Sequence, residues 1–264
     1  MNHVSAYNLG YRSNYRSRAM FSAINGFFLP FQGLTLIMRP GLRRYVLIPL
    51  LLNVMVFAGL AYLAGVYFDV FMDRWLPSQS WLEFLRWFLW LLFAVAYALA
   101  LFYGFTLVAN LIGAPFNGML AARVEEKLTG ERPAESDESL LKAVGPALAG
   151  ELGKIGYFAT RALPLLVLFL IPGLNIFVTI GWIVFGFWFL AIEYADYPMG
   201  NHGFKPKEQR ARLRSKRIKS LAFGAGVTVL MLIPVLQFAA MPAAVAAATR
   251  LWVDDLSGDS GRRH

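Results

Sequence analysis

The sequence predicts an all-α integral membrane protein with two long transmembrane helices, two partly penetrating (re-entrant) helical hairpins and interfacial amphipathic helices. Three observations lead there. Hydrophobic residues make up 58% of the 264-residue chain and charged residues only 16%, against the roughly 25% charge of soluble domains. The uncharged runs are long enough to enter or cross a bilayer. Two of those runs are interrupted by proline near their middle.

Taken in order, residues 1–44 read as a basic tail followed by an interfacial helix. The opening "MNHVSAYNLGYRSNYRSRAMF" separates its charges from any apolar core with polar residues and lacks a small-residue cleavage site. Insertion through internal segments is therefore expected rather than through a signal peptide. Within residues 19–38, Phe21, Ile24, Phe28, Phe31, Leu34 and Met38 recur every three or four positions. That is one helical stripe, suited to lying in the membrane surface. Residues 45–68 form the first transmembrane helix, about 36 Å long at 1.5 Å per residue. Residues 69–86 are an outer connector carrying Trp75 and Trp81, at home in the interface. The second transmembrane helix covers 87–129, with a bend expected at Gly113 and Pro115 and Gly130 as its C-cap.

Residues 130–161 form a cytoplasmic helical region, amphipathic over 136–160 with "SDES" as its cap. The 162–192 block is too long for one span and too short for two; "LIPGLN" breaks it, leaving an arm of about 15 Å, half a bilayer. Residues 193–219 are a basic cytoplasmic segment. The 220–249 block repeats the design at "LIPVLQ", and residues 250–264 form the tail. The two breaks align at positions 170 and 232, an offset of 62. Repeats of broken apolar segments recur in transport proteins.

Basic residues set the topology. Lys and Arg number six in residues 1–44, two in 69–86, six in 123–161, eight in 193–219 and three after Thr249. If each late block enters and returns on one side, every basic loop is cytoplasmic and only 69–86 lies outside, as the positive-inside rule asks.

The same composition excludes several chemistries. There is no cysteine, and His3, His202 and His264 are scattered, so no disulfide, thiol chemistry or metal site is expected. No nucleotide-binding signature or nucleophile–base pair marks a cofactor or an enzyme. The net charge of +9 comes without an RNP, zinc-finger or helix-turn-helix pattern, so nucleic acid is not the expected partner. Anionic lipids or an anionic solute are.

One stretch concentrates anion chemistry: "RPGLRRYVLIPLLLN", residues 39–53. Pro40 fits the first turn of a helix, which places the free N–H groups on Gly41, Leu42, Arg43 and Arg44. Gly41 lets an anion reach the backbone, the helix dipole adds positive charge, and two guanidinium groups offer bidentate bonds. Arginines flanking a span are also what the positive-inside rule produces unaided. Weaker pathway candidates are Asn110, Asn117, Arg123, Glu125, Arg161, Glu193 and Asp196. Helix–helix hydrogen bonds and surface ion pairs are the favoured explanation of these residues. Asn175 and Gln237, at the hairpin tips, are placed to bond carbonyls freed by the adjacent prolines. The run "KEQRARLRSKRIK" reads as a lipid-facing or topology-setting face.

"QGLTLIMRPGLRRYVLIPLLLN", "NLIGAPFNGMLAARVEEKLTG", "LFLIPGLN", "AIEYADYPMGNH" and "LIPVLQFAAMPAAVAAATRLWVD" together resemble the CysZ family of bacterial sulfate permeases, from about residue 32 to 254. The resemblance implies an inner-membrane protein that admits sulfate for assimilation into cysteine. It also implies two long membrane helices, two partly penetrating hairpins and assembly into oligomers. The family's Gly-Leu-Arg-Arg motif binds sulfate at a helix start, and it transfers to Gly41, Leu42, Arg43 and Arg44. The competing expectation is a membrane scaffold or membrane-shaping protein, which needs no solute site and uses the same broken segments.

Overall fold

The structure, a computed structural model, describes residues 3–75, 83–133 and 140–258, and over them it is built from helices. In chain order these are α1 (His3–Ile37), α2 (Arg44–Trp75), α3 (Glu83–Thr129), α4 (Leu140–Phe169), α5 (Asn175–Gly200), α6 (Pro206–Ser215), α7 (Arg217–Leu232) and α8 (Pro234–Leu251), followed by a π-helical turn, Trp252–Leu256. Among the described residues four stretches are long and apolar enough to cross a membrane: Met20–Ile37, Arg44–Arg74, Asn175–Gly200 and Pro234–Leu256. The expected "SDES" cap lies outside the described residues.

The chain divides into two compact units, residues 44–116 and residues 1–43 with 117–264. The boundary falls just after the expected bend at Gly113 and Pro115, although α3 runs on as a helix through it. In the first of these units α2 pairs with the start of α3. Phe68 stacks on Phe93 with ring centroids 3.9 Å apart and meets Trp90 edge-on at 4.8 Å, and Arg86 pairs with Asp73. Rising position on one helix against falling position on the other makes the pair antiparallel. Leucines and aromatics cover its exposed faces, the surface expected of a helix whose solvent is lipid.

The larger unit is held by close helix approaches. A Cβ on Gly224 of α7 would sit 1.9 Å from the carbonyl oxygen of Phe187 on α5, and one on Gly226 would sit 2.1 Å from that of Phe27 on α1. A Cβ on Gly33 of α1 would meet the carbonyl of Ala243 on α8 at 2.0 Å. Small residues let backbones touch where lipid supplies no hydrophobic drive between helices. The alanine-rich α8, from Ala243 to Ala248, is accordingly buried throughout.

α1 covers the stretch expected to be an interfacial helix over 19–38. It is one 35-residue helix, and it packs on α7 and α8 through Gly26, Leu29, Pro30, Gly33 and Leu36. The predicted stripe lies on the other side: Phe21, Ile24, Phe28 and Met38 are exposed. The stripe is thus the free, lipid-ready face, and the small residues between its members make the contact.

Both breaks are present. α4 ends at Phe169, Gly173 takes a left-handed φ of 88°, and α5 starts at Asn175. With its amide oriented to satisfy its neighbours, Asn175 donates to the carbonyls of Phe169 and Ile171 at 3.1 Å, as expected of it. No side-chain bond of this kind appears at Gln237 among the described residues. The hairpin is antiparallel: Trp188 Nε1 donates to Tyr157 Oη at 3.0 Å, and Phe158 contacts Phe185 and Phe189. α7 and α8 meet at Ile233, which is extended (φ −88°, ψ 111°) because the following Pro234 excludes the helical region. The expected tail is helical to Leu256, with Trp252, Val253 and Leu256 buried.

Candidate functional site

The Gly-Leu-Arg-Arg segment sits between α1 and α2, and its local geometry corrects one expectation. Pro40 does not open a helix; α2 begins at Arg44. Residues 38–43 are turns: the Arg39 N–H donates to Leu36 O at 3.0 Å and the Leu42 N–H to Arg39 O at 3.2 Å. Gly41 has φ 86°, a left-handed conformation that favours glycine. The first helical turn, with its unsatisfied N–H groups, therefore starts at Arg44 rather than Gly41. Leu42 is buried and pins the turn, while Pro40, Gly41 and Arg43 are exposed.

A third cation joins the segment from far along the chain. Lys127, in the last turn of α3, donates its ammonium to the carbonyl of Pro40 and stands 3.7 Å from where a Gly41 Cβ would be. Nothing in the sequence pairs positions 40 and 127. Arg43 Nε donates to Met38 O. In the other unit, Arg44 lies over the Tyr45 ring at 5.0 Å and bonds its hydroxyl at 3.2 Å. Among the described residues no carboxylate pairs with Arg39, Arg43, Arg44 or Lys127. Among the described residues, where these side chains bond within their own units, they bond carbonyls and a hydroxyl.

The remaining candidates fall into three groups. Glu125, 7% exposed, accepts from Trp252 Nε1 at 3.1 Å and bonds His202 Nε2 at 2.8 Å through Oε1. Its Oε2 and the Nδ2 of the buried Asn117 have no hydrogen-bond partner. Asn201 donates to Gly118 O at 2.9 Å nearby. Arg123 pairs with Glu126 at 2.8 Å. The backbone at Asn110 is helical, and its side chain lies outside the described residues.

Glu193 and Asp196 do not meet Arg161, although all three stand at the ends of the same hairpin. They meet Lys154, a buried lysine of α4, at 3.2 and 3.0 Å, and Gln209 donates to Asp196 at 2.7 Å. Arg161 stacks on Tyr157 instead, at 3.9 Å. The basic run after α5 is also not all lipid-facing. Arg212 donates to Leu256 O and lies over Phe204 at 4.3 Å, and Lys219 pairs with Asp255. His202, Trp252 and Lys154 were missed in the sequence because each acts through a partner distant along the chain. No group of three or more His, Cys, Asp or Glu residues able to hold a metal ion occurs among the described residues.

Four stretches apolar enough to span and a cationic turn between two apolar helices define the class: a multi-pass membrane protein. The chain belongs to the sulfate transporter CysZ/etoposide-induced protein 2.4 family, whose profile matches residues 29–242. It is 45% identical over 232 residues to the sulfate transporter CysZ of Pseudomonas fluorescens (strain Pf0-1), covering 87% of this chain and 93% of that one. The sulfate transporter CysZ of Pseudomonas syringae pv. tomato is 45% identical over 87% of this chain and 92% of its own. That of Pseudomonas aeruginosa (strain LESB58) is 45% identical over 84% and 92%.

Proposed function

We propose that this protein is a sulfate permease of the bacterial inner membrane, supplying sulfate for assimilation into cysteine. The observation that carries the reading is the 45% identity, along almost the whole of both chains, to proteins named as sulfate transporters. Sulfate is captured at Gly41, Leu42, Arg43 and Arg44. Gly41 is left-handed and exposed, Lys127 adds charge beside it, and the two guanidinium groups match a tetrahedral dianion through paired N–H donors. Asn117, Arg123 and Glu125 belong to the route beyond the capture site. Two full spans, two re-entrant hairpins and a homo-oligomer embedded in membrane lipid complete the proposal; the hairpins keep every strongly basic segment on the cytoplasmic side.

Uptake of radiolabelled sulfate into liposomes containing the purified protein tests this. Arg43→Ala and Arg44→Ala should each weaken sulfate binding about tenfold or more, since a charge-assisted hydrogen bond contributes about 1.5–3 kcal/mol. Unchanged uptake by the double variant removes the capture site. No uptake by the folded parent removes the permease and favours a membrane scaffold.

A further inference from the structure

Away from the capture segment, α4 and α6 line a basic cavity of about 540 Å³ that is open to the surface. Arg161 of α4 and Lys207, Arg210 and Arg214 of α6 line it. No carboxylate among the described residues pairs with any of the four, although Glu193 and Asp196 are occupied by Lys154 on the same helix pair. Tyr157 is the floor: Arg161 and Arg210 both lie over its ring, at 3.9 and 4.5 Å, and its hydroxyl is fixed by Trp188. Gly153 and Gly156 keep the wall open, since a Cβ on either would touch nothing within 4 Å. Cations fixed by stacking and left without a counter-ion form a site for a small polyanionic group.

The helix beyond the cavity says what that group is attached to. Positions 153, 156, 157, 160 and 161 line the cavity on one face of α4. The same face continues through Pro164, Val167 and Leu168, all exposed and all apolar. From Arg161 to its end at Phe169 the helix rises about 12 Å, most of the depth of one leaflet of hydrocarbon. A charged mouth followed by most of a leaflet's length of bare apolar surface has the polarity profile of a phospholipid.

We propose that this cavity binds the phosphate of an anionic phospholipid, with the acyl chains lying along the exposed apolar face of α4. The inference is independent of sulfate transport. Clusters of Lys and Arg at the membrane surface attract anionic headgroups in general; here the attraction is localised by a shaped cavity.

Titration of the detergent-solubilised full chain with dioleoyl phosphatidylglycerol and dioleoyl phosphatidylcholine, followed by native mass spectrometry, tests it. Phosphatidylglycerol should bind about tenfold or more tightly than phosphatidylcholine, the attraction being of the order of that from one or more basic residues. The double substitution Arg161→Gln with Arg210→Gln should abolish that preference, and so should Gly156→Leu, which fills the cavity and keeps every charge. Lys216→Gln with Arg217→Gln, which removes as much charge outside the cavity, should leave the preference intact. Equal binding of the two lipids overturns the proposal, as does an equal loss in both double variants. Displacement of phosphatidylglycerol by inorganic phosphate or sulfate, beyond a chloride control of matched ionic strength, also overturns it, because the site then takes a free anion. If the Arg161/Arg210 variant does not purify as a folded protein, Gly156→Leu decides: retained preference overturns the proposal.

Discussion

At the scale of single residues, Gly41 and Lys127 shape the proposed capture segment as much as the arginines do. Gly41 is left-handed, and an L side chain there costs about 1–2 kcal/mol. Gly41→Ala should therefore lower the unfolding free energy by about 1 kcal/mol, read as a lower thermal midpoint. Its new methyl meets the Lys127 ammonium only at ordinary contact distance, so the effect comes from the backbone. Lys127→Ala leaves the turn conformation to Gly41 and removes one charge. Sulfate affinity should fall about threefold to tenfold, more at low salt than at high, as for an exposed charge; titration calorimetry at two salt concentrations reads both changes. Arg43 and Arg44 were legible in the sequence because a Pro-Gly-Leu-Arg-Arg string beside an apolar run is a local pattern. Lys127 was not, because its approach to Pro40 depends on where α3 ends.

At the scale of elements, the bundle depends on four glycines that allow backbone contact, Gly26 and Gly33 on α1 and Gly224 and Gly226 on α7. Gly33→Ala, Gly224→Ala and Gly226→Ala each press a methyl to within about 2 Å of a carbonyl oxygen, so helices must separate. Overpacking of this kind costs about 1–3 kcal/mol or more. Each variant should melt earlier in detergent, while Gly59→Ala and Gly65→Ala on α2, with nothing near them, should not. The two breaks were readable because Pro172-Gly173 and Pro234 act locally on the backbone. So was the end of α3 at Thr129, before Gly130. The end of α5 was not: its uncharged run stops at Ile192, whereas the helix carries Glu193 and Asp196 onward because Lys154 and Gln209 meet them inside the unit. The apolar stripe of α1 was legible in the sequence, and its members Phe21, Ile24, Phe28 and Met38 are exposed. What was not legible is the opposite, small-residue face, whose packing on α7 and α8 depends on distant glycines and alanines.

At the scale of the whole molecule, a chain without cysteine is ready for single-cysteine labelling. Ser215→Cys, at the end of α6, should react with a charged, membrane-impermeant maleimide from the cytoplasmic side. Leu170→Cys and Val235→Cys, at turns that expose their side chains by 81% and 80%, should react from neither side if the hairpins stop within the bilayer. Labelling of either from outside shows a full crossing instead. Four stretches meet the length and hydropathy needed to span, so this experiment carries the topology. Order of manufacture follows from the packing of α1 against α7 and α8. The first helix made has as its partners two of the last. At about 5–20 residues per second the ribosome needs roughly 10 to 40 seconds to go from the end of α1 to the start of α7. Throughout that interval the glycine face of α1 waits uncovered, and its exposed phenylalanines are what can hold it at the membrane. A chain that stops short of α7 would leave α1 stranded there, a ready target for membrane proteases.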